Sequence, residues 1–452
     1  MSNMSKMSNG NIVKKGTTIL TDRPFVFVLR SAYRTTRCDN CFKSSEKLLR
    51  CSSCQYVYYC NRKCQKQSWR IHKLECVCLK KTLPGMLPDS VRLVARIIIK
   101  LKQGGANEMD YYTKKNYRKF ADLSSHYSDM KVDAKHMPPF IALCAILIEF
   151  LDETLMPSIA ELISIYGKMN TNRLEIQDEL LKVVGFGIYL GASVVGHSCK
   201  PNAVATFEGT TVIIRTLTDL PCLDWSQIKI SYIDLIQSKK DRREKLYNSY
   251  HFWCDCERCK EEESLTEAAA CPNSSCDSPC SIDADKCEKC NTKISVKFKE
   301  TFQEIVDFTN HDFENIIFIA FLRDLNTFSW IKRFLEKQKN VMYKFNVHHI
   351  CTLEKIYIAS VNLEYWKEVE FYSKQLEAGY LFYYGEAYPQ LGMLYLTLGS
   401  ALLNLGKPRE ALRTLNKANT VLMITHGNKH LLVREVLKPL LCNAILLSRF
   451  SS

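Results

Sequence analysis

Seven cysteines and one histidine follow one another at short intervals between Cys38 and Cys76. Their spacing is C-x2-C-x9-C-x2-C-x5-C-x3-C-x7-H-x3-C. Because four tetrahedral ligands saturate Zn²⁺, eight ligands in four close pairs predict two closed zinc sites. A disulfide framework would need an oxidising compartment and usually a signal peptide, whereas the N-terminus MSNMSKMSNGNIVKKG is polar and has no apolar core. The spacing therefore favours zinc.

The last part of this segment, CNRKCQKQSWRIHKLEC, predicts a helix that carries ligands. Cys64, Trp69, His72 and Cys76 recur at roughly helical spacing. A module of this size is too small for a hydrophobic core of its own. Metal binding would therefore supply most of its folding free energy.

Length and apolar content limit the class of protein. A chain of 452 residues exceeds one core, so we expect roughly two to four domains. The longest apolar run, FIALCAILIEF at residues 140–150, is too short to span a bilayer and predicts a buried helix. No secretory signal or membrane segment is visible, so we expect a cytosolic or nuclear protein with reduced thiols.

The positive charge of the chain is concentrated near the cysteine-rich segment. The formal net charge is +14, and residues 34–81 carry twelve Lys and Arg against three Asp and Glu. Such a patch can bind nucleic acid or an acidic protein. It can equally be the solvated surface of a small zinc module, and the sequence leaves both interpretations open.

A third cysteine group lies further along the chain. Cys254, Cys256 and Cys259 follow a C-x-C-x2-C spacing, which gives three ligands. A zinc site needs a fourth, and distant Cys199, in the segment GHSC, is the obvious candidate. One ion would then hold the GHSC loop against the later cysteines.

Residues 271–290, CPNSSCDSPCSIDADKCEKC, contain a fourth group. The spacing C-x4-C-x10-C-x2-C of Cys271, Cys276, Cys287 and Cys290 predicts a small zinc ribbon, with Cys280 as a spare thiol. The alternative is a flexible thiol-rich loop.

Secondary-structure patterns divide the remaining chain. The runs AVATF and TVIIRTL, separated by EGT, predict antiparallel strands. From residue 300 onward the apolar periodicity is helical. The segment PQLGMLYLTLGSALLNLGKPREALRTLNKA resembles a tetratricopeptide repeat, and ASVNLEYWKEVEFYSKQLEA is a looser unit of the same kind.

The ligand spacing at 38–76 resembles that of the MYND finger. In that family the ligand pairs interleave. The resemblance implies that one ion is held by Cys38, Cys41, Cys60 and Cys64, and the other by Cys51, Cys54, His72 and Cys76.

Residues 183–262 resemble the SET domain of lysine methyltransferases. The matching features are GHSCKPN, the tyrosine segment ISYIDL, and NSYHFWCDCERC. With the finger upstream, the whole chain resembles the SET-and-MYND family. This implies an α+β fold: a β-rich SET domain split by an inserted two-zinc MYND finger, with a helical insert, a post-SET zinc site and a C-terminal TPR-like helical array.

The resemblance also implies domain boundaries. These are N-terminal SET strands at 1–36, the MYND finger at 37–76, a helical insert at 77–182, the SET core at 183–240, the post-SET segment at 241–262, a zinc-ribbon insertion at 263–299 and the helical C-terminal domain at 300–452.

The same resemblance implies that the chain is a protein-lysine methyltransferase that uses S-adenosylmethionine. Tyr232 would be the catalytic tyrosine, and Tyr250 would line the lysine channel. The implied cofactor-binding positions are Asn172, Ser193, Gly196, His197 and Phe252, of which Phe252 would pack on the adenine ring. The other implied cofactor is zinc: two ions in the finger, one in the post-SET segment and one in the 271–290 ribbon.

The implied partners are protein substrates with a target lysine, either histone tails or other proteins. The finger could in addition bind proline-rich peptides, and its basic patch could bind DNA weakly. We expect no membrane partner, a monomer, and both cytoplasmic and nuclear localisation.

Two departures from the family pattern favour an alternative. Gly196 stands where the family has an asparagine that contacts the cofactor. The family also opens its SET domain with a Gly-x-Gly strand, for which this chain offers only SNGNIV at residues 8–13. The alternative is therefore a catalytically weak or inactive adaptor that binds partner proteins or DNA, with a role in transcriptional regulation.

Overall fold

The computed structural model describes residues 12–82, 85–126, 137–311 and 325–450. Most of the segment SNGNIV, residues 8–13, which this chain offers in place of the family's Gly-x-Gly strand, lies outside the described residues. The chain divides into two compact units. The first runs to Tyr232 and includes Leu246–Trp253, and the second comprises Ile233–Lys245 and the chain from Cys254 onward.

The strands of the first unit form small sheets. They are β1 Thr18–Asp22, β2 Val26–Leu29, β3 Leu49–Arg50, β4 Tyr58–Tyr59, β5 Asp110–Tyr111, β6 Tyr117–Arg118, β7 Arg173–Gln177, β8 Val183–Ile188, β9 Gly196–His197, β10 Ala203–Glu208, β11 Thr211–Thr216 and β12 Lys229–Ile230. Two sheets have three strands, in the orders β1-β11-β10 and β2-β8-β7. The remaining pairs are β3–β4, β5–β6 and the parallel pair β9–β12.

The hairpin β10–β11 shows why these segments form strands. Its register runs from Ala203 opposite Thr216 to Glu208 opposite Thr211, with Gly209 in the turn at a φ of +59°. Glycine adopts this left-handed conformation without the steric cost that a Cβ brings. Alternate residues of β11 are buried, as the period of a strand requires. The predicted antiparallel pairing is thus confirmed.

In the part of this unit that the structure describes, four long helices accompany these sheets. They are α1 Arg62–Thr82, α2 Asp89–Lys102, α3 Met137–Phe150 and α4 Ile159–Asn172. The start of α4 is a capping box, in which Ser158 and Glu161 exchange side-chain to backbone hydrogen bonds. Every residue of α2 from Val91 to Ile99 is buried, so this helix forms the centre of the larger core of the unit.

For helix α3, the predicted helical structure is confirmed but the predicted burial is not. Phe140, Leu143 and Leu147 are buried, but Ile141 is 60% exposed and Ile148 is 65% exposed. The run is apolar all round, so its periodicity could not reveal which face packs on the core. The segment is a helix, as expected, but it is not a fully buried one.

The second unit is mostly helical. Its elements are α5 Lys239–Tyr250, whose residues from Leu246 belong to the first unit, α6 Glu257–Lys260, β13 Ala269–Ala270, β14 Pro279–Cys280, α7 Val296–His311, α8 Leu325–Gln338, α9 Val347–Asn362, α10 Trp366–Tyr384, α11 Pro389–Asn404, α12 Pro408–Thr425, a π-helical turn Leu432–Leu437 and α13 Lys438–Phe450.

Helices α11 and α12 form the pair predicted from the sequence. Gly406 turns the chain between them at a φ of +72°. A Cβ built on Gly399 would lie 2.5 Å from the Leu415 side chain, so only glycine permits this close approach. The C-terminal helical array is therefore confirmed. Within the described ranges, no helix combines the length and the apolar character needed to cross a bilayer.

Candidate active site and zinc centres

The first predicted quartet of the finger comes together in the structure. The sulfur atoms of Cys38, Cys41, Cys60 and Cys64 all lie within 4.8 Å of one another. Cys41 and Cys60 are 3.7 Å apart, and Cys60 and Cys64 are 3.4 Å apart. A tetrahedron with Zn–S bonds of about 2.3 Å has edges of roughly 3.8 Å, so the spacing fits one zinc ion.

The second quartet is formed by Cys51, Cys54, His72 and Cys76 and is fully buried. The Sγ atoms of Cys51 and Cys76 are 3.8 Å apart. The Nε2 atom of His72 lies 3.5 Å from Cys51 and 3.7 Å from Cys54. Helix α1 supplies His72 and Cys76 from positions four apart, which lie on the same face of a helix.

A buried ion network, which the sequence analysis missed, supports this second quartet. The Nδ1 atom of His72 lies 3.2 Å from Glu75, whose carboxylate accepts hydrogen bonds from the Nε atoms of Arg92 and Arg96, both at 2.8 Å. Asp39 accepts two bonds from Arg92, of 2.7 and 2.9 Å, and one bond of 2.7 Å from Arg96. An outer carboxylate of this kind fixes the tautomer and orientation of a histidine ligand.

The same network connects the finger to the β2 strand. Arg96 donates a hydrogen bond of 2.6 Å to the carbonyl oxygen of Phe27. Burial alone would raise the pKa of Glu75, but Arg92 and Arg96 hold it well below its usual range, so the carboxylate stays charged. Two arginines four residues apart in the otherwise apolar run VRLVARIII were the signal that could have revealed the network.

The ribbon quartet also comes together. The sulfur atoms of Cys271, Cys276, Cys287 and Cys290 lie within 4.8 Å of one another. Cys271 and Cys290 are 3.4 Å apart, and Cys276 and Cys287 are 3.9 Å apart. Cys280 is buried nearby on β14 but is not part of the quartet.

The post-SET thiols of Cys254, Cys256 and Cys259 cluster within the second unit, with their sulfur atoms no more than 4.8 Å apart. Cys199, their predicted partner, belongs to the first unit. There its Sγ lies 3.2 Å from the Nε2 atom of His197.

The ring of His197 is held from both sides. Its Nδ1 atom accepts a hydrogen bond of 3.0 Å from the backbone N–H of Tyr232. Since Nδ1 is an acceptor there, the proton of the neutral ring is on Nε2 and points at the sulfur of Cys199. Both ring nitrogens of His197 therefore have partners within the protein. The contact with the backbone N–H of Tyr232 fixes the position of that residue.

A pocket lies in the first unit, where α4, β7, β12 and the turn after β8 meet. Four of the predicted site residues line it: Asn172, Ser193, Tyr232 and the predicted channel residue Tyr250. The other lining residues are Thr171, Arg173, Leu174, Tyr189, Ala192, Val195 and Ile230.

Four aromatic rings are grouped at this pocket. The ring centroid of Tyr232 lies 5.3 Å from that of His197 and 5.0 Å from that of Tyr250. Phe252 lies 6.0 Å from His197 and 6.5 Å from Tyr250. Contacts of this length are typical of packed aromatic clusters. The structure therefore brings four of the predicted site residues side by side.

Hydrogen bonds fix the polar groups of the pocket. The hydroxyl of Tyr232 donates to the carbonyl oxygen of Val195 at 2.5 Å. The side-chain nitrogen of Asn172 donates to Ser124 and to Lys168, both at 2.9 Å. Among the described residues no donor reaches the side-chain oxygen of Asn172, so it remains available to a ligand ammonium.

Arg118, on β6, holds the pocket residue Ser193 and was missed by the sequence analysis. Its Nη1 atom donates to the backbone oxygen and the hydroxyl of Ser193, at 3.2 and 3.3 Å. It lies in the segment YYTKKNYRKF, whose many cations give no hint of which one turns toward the site.

Both tyrosine hydroxyls stay protonated at neutral pH. Burial, and then the neighbouring Tyr250, raise the pKa of Tyr232 well above its usual value, although Arg118 opposes the shift. Burial raises the pKa of Tyr250 to about 12. These hydroxyls can donate or accept hydrogen bonds, but they are not bases that remove a proton at pH 7.

The centres and the sheets together define a class: a MYND-finger protein whose finger is joined by buried charges to a β-rich unit with an aromatic pocket. The MYND finger family model matches residues 38–76. The mouse "Histone-lysine N-methyltransferase SMYD3" is 26% identical over 429 residues, which cover 94% of this chain and 92% of the relative.

Relatives from other lineages match over the same length. The *Arabidopsis thaliana* "Histone-lysine N-methyltransferase ASHR1" is 28% identical over 92% of this chain and 88% of its own length. The *Xenopus laevis* "N-lysine methyltransferase SMYD2-A" is 26% identical over 94% of this chain and 93% of its own. The chain therefore carries a MYND finger and is similar along nearly its whole length to proteins named as lysine methyltransferases.

Proposed function

We propose that this chain is an S-adenosylmethionine-dependent protein-lysine N-methyltransferase that acts on histone or non-histone proteins. The observation that carries the proposal is the pocket in which Asn172, Ser193 and Tyr232 meet the second tyrosine, Tyr250. The relatives that match nearly the whole chain are named as lysine methyltransferases.

The polar groups of the pocket suit the amino-acid end of the cofactor. The free side-chain oxygen of Asn172 can accept from the α-ammonium, and Ser193 is held in place by Arg118. Phe252 and His197 offer ring surface for the adenine. When bound, S-adenosylmethionine would supply a methyl group activated by the positive sulfur.

The lysine substrate has to lose a proton before it can act as a nucleophile. Its ammonium has a pKa of about 10.4 in water. Since Tyr232 and Tyr250 are both protonated at neutral pH, neither is the base. Transfer of the ammonium from water to an aromatic channel lowers its pKa, and the proton then leaves to solvent.

The aromatic cluster also positions the amine. The hydroxyl of Tyr232 is fixed by Val195, and its backbone N–H is fixed by His197. Tyr250 packs against the Tyr232 ring, and its hydroxyl lies 3.4 Å from the Tyr232 carbonyl oxygen. A rigid site of this kind converts binding energy into correct alignment of the reacting atoms.

The same proposal includes the arrangement of domains and repeats along the chain. The SET domain is divided by the finger, since β1 and β2 precede residues 38–76 and pair with β11 and β8 beyond them. The pairs α9–α10 and α11–α12 are TPR-like repeats that stack into an array. We propose the same domain boundaries as those given in the sequence analysis, including the ribbon insertion at 263–299.

The proposed partners are those that the sequence analysis implies. They are proteins with a target lysine, proline-rich peptides at the finger, and DNA held weakly by the basic patch at residues 34–81. The proposed state is a monomer in the cytoplasm and nucleus, where the described cysteines, none of which is in a disulfide, remain available to zinc.

We predict that metal analysis finds four zinc ions per chain: two in the finger, one in the ribbon and one at Cys254, Cys256 and Cys259 with Cys199 as fourth ligand. Replacement C287S should lower the count by one because it removes a ribbon ligand. Replacement C280S is the matched control and should leave four. A count of two in the unmodified chain would refute both sites outside the finger.

The proposed reaction is tested by incubation of the purified chain with methyl-labelled S-adenosylmethionine and a histone mixture or lysine-containing peptides. Label should appear on protein, and acid hydrolysis should recover it as methyl-lysine. If no substrate gains label and calorimetry detects no cofactor binding, the adaptor function replaces the enzymatic one.

A further inference from the structure

Position 196 carries no side chain, and the space beside it is filled by a lysine from another strand. Gly196 pairs with Lys229 in the parallel register of β9 and β12. A Cβ built on Gly196 would lie 2.8 Å from the Nζ atom and 3.4 Å from the Cδ atom of Lys229. The lysine side chain therefore lies directly over the glycine.

The backbone does not require glycine at this position. Gly196 is not among the glycines with positive φ, so other residues could adopt its conformation. The constraint is spatial, because any side chain would have to displace the ammonium of Lys229. Gly196 and Lys229 are thus sterically complementary, because the lysine side chain occupies the space that a side chain at position 196 would need.

Neither residue of this pair is among those that line the pocket, but each is the chain neighbour of one that does. Val195 precedes Gly196, Ile230 follows Lys229, and both Val195 and Ile230 line the pocket. Lys229 is partly buried, and among the described residues its ammonium has no hydrogen-bond or ion-pair partner. The charge of Lys229 contributes to lowering the pKa of exposed Asp224, after the hydrogen bonds from Ser226, but the two do not form an ion pair.

We propose that Lys229 is a cofactor-positioning residue whose ammonium binds the carboxylate at the amino-acid end of S-adenosylmethionine. The inference rests on the proposed function. A partly buried cation without a partner at the edge of a ligand pocket is stabilised by an anionic ligand group. The only anionic group of this cofactor is its α-carboxylate. Lys229 thereby replaces the contact that an asparagine at position 196 would make.

The test compares two ligands by titration calorimetry: S-adenosylhomocysteine, and 5′-methylthioadenosine, which lacks the amino-acid end. Replacement K229M keeps the length of the side chain and removes its charge. We expect it to weaken S-adenosylhomocysteine binding roughly ten- to a hundredfold, the factor for one charge-assisted hydrogen bond. Binding of 5′-methylthioadenosine should change by less than about twofold.

Two further variants sharpen the test. K182M makes the same charge change at an exposed lysine and should leave both affinities unaltered. The double variant G196N/K229M should recover part of the lost S-adenosylhomocysteine affinity. The uncharged methionine side chain can move aside, and the asparagine amide can then contact the ligand. Zinc content and thermal unfolding of each variant establish that it is folded.

Other results would overturn the inference. Equal weakening of both ligands by K229M would mean that Lys229 only supports the strand pair. Unchanged or tighter S-adenosylhomocysteine binding would mean that the ammonium does not contact the carboxylate. Failure of the proposed function itself looks different, because the unmodified chain would then bind neither ligand.

Discussion

Replacement of Tyr232 by phenylalanine should lower the rate of methyl transfer by about a hundredfold or more. The ring would remain packed between His197 and Tyr250, at centroid distances of 5.3 and 5.0 Å. What is lost is a hydroxyl held at 2.5 Å from the Val195 carbonyl oxygen. Removal of one fixed polar group at a reaction centre typically costs a factor of roughly 10²–10³ in rate.

The measurement is transfer of labelled methyl under saturating cofactor, together with calorimetric affinity for S-adenosylhomocysteine. The affinity should change by less than about threefold, since the variant preserves the walls of the pocket. Y166F, a buried tyrosine of α4 packed against Phe140, is the matched control and should retain full activity. If Y232F keeps more than about a third of the wild-type rate, Tyr232 is not the catalytic tyrosine.

Replacement of Glu75 by glutamine should destabilise the finger by about 3–5 kcal/mol. The carboxylate is fully buried and lies between His72 and two arginines. The glutamine amide is neutral, so Arg92 and Arg96 would share only the charge of Asp39. Removal of one partner from a buried ion network carries a penalty of this size because a charge is left uncompensated.

Urea unfolding and competition with a zinc chelator measure this effect. We expect the finger to lose zinc at roughly ten- to a hundredfold lower chelator concentration, as happens when an outer ligand of a metal-binding histidine is removed. E108Q is the control: Glu108 makes partly exposed ion pairs with Arg70 and Lys100, and its loss should cost less than about 1 kcal/mol. A similarly small effect of E75Q would contradict the role given to the network.

The parts of this molecule that could be read from the sequence are those fixed by local spacing. Cysteines in the pattern C-x2-C can be recognised as zinc ligands from their spacing alone. The intervals between Cys64, His72 and Cys76 likewise predict the helix that carries them. The β10–β11 hairpin is visible because Gly209 separates two apolar β-branched runs. In each case the information lies within a few residues of the element that it predicts.

The parts that could not be predicted depend on residues that meet only after folding. Glu75 reaches Arg92 and Arg96 through the packing of α1 on α2, and Asp39 reaches them from the segment before β3. No local pattern records either contact. Gly196, taken alone, looked like the loss of a cofactor contact. Only the parallel pairing of β9 with β12 brings Lys229 over it and suggests compensation.

The central claim of this account is that the pocket lined by Asn172, Ser193 and Tyr232 holds S-adenosylmethionine. The most direct measurement is calorimetric titration of the purified, zinc-loaded chain with S-adenosylhomocysteine. The account predicts saturable binding of one ligand per chain, weakened by N172A. Absence of binding at millimolar ligand, by a chain that is folded and retains its zinc, would contradict it.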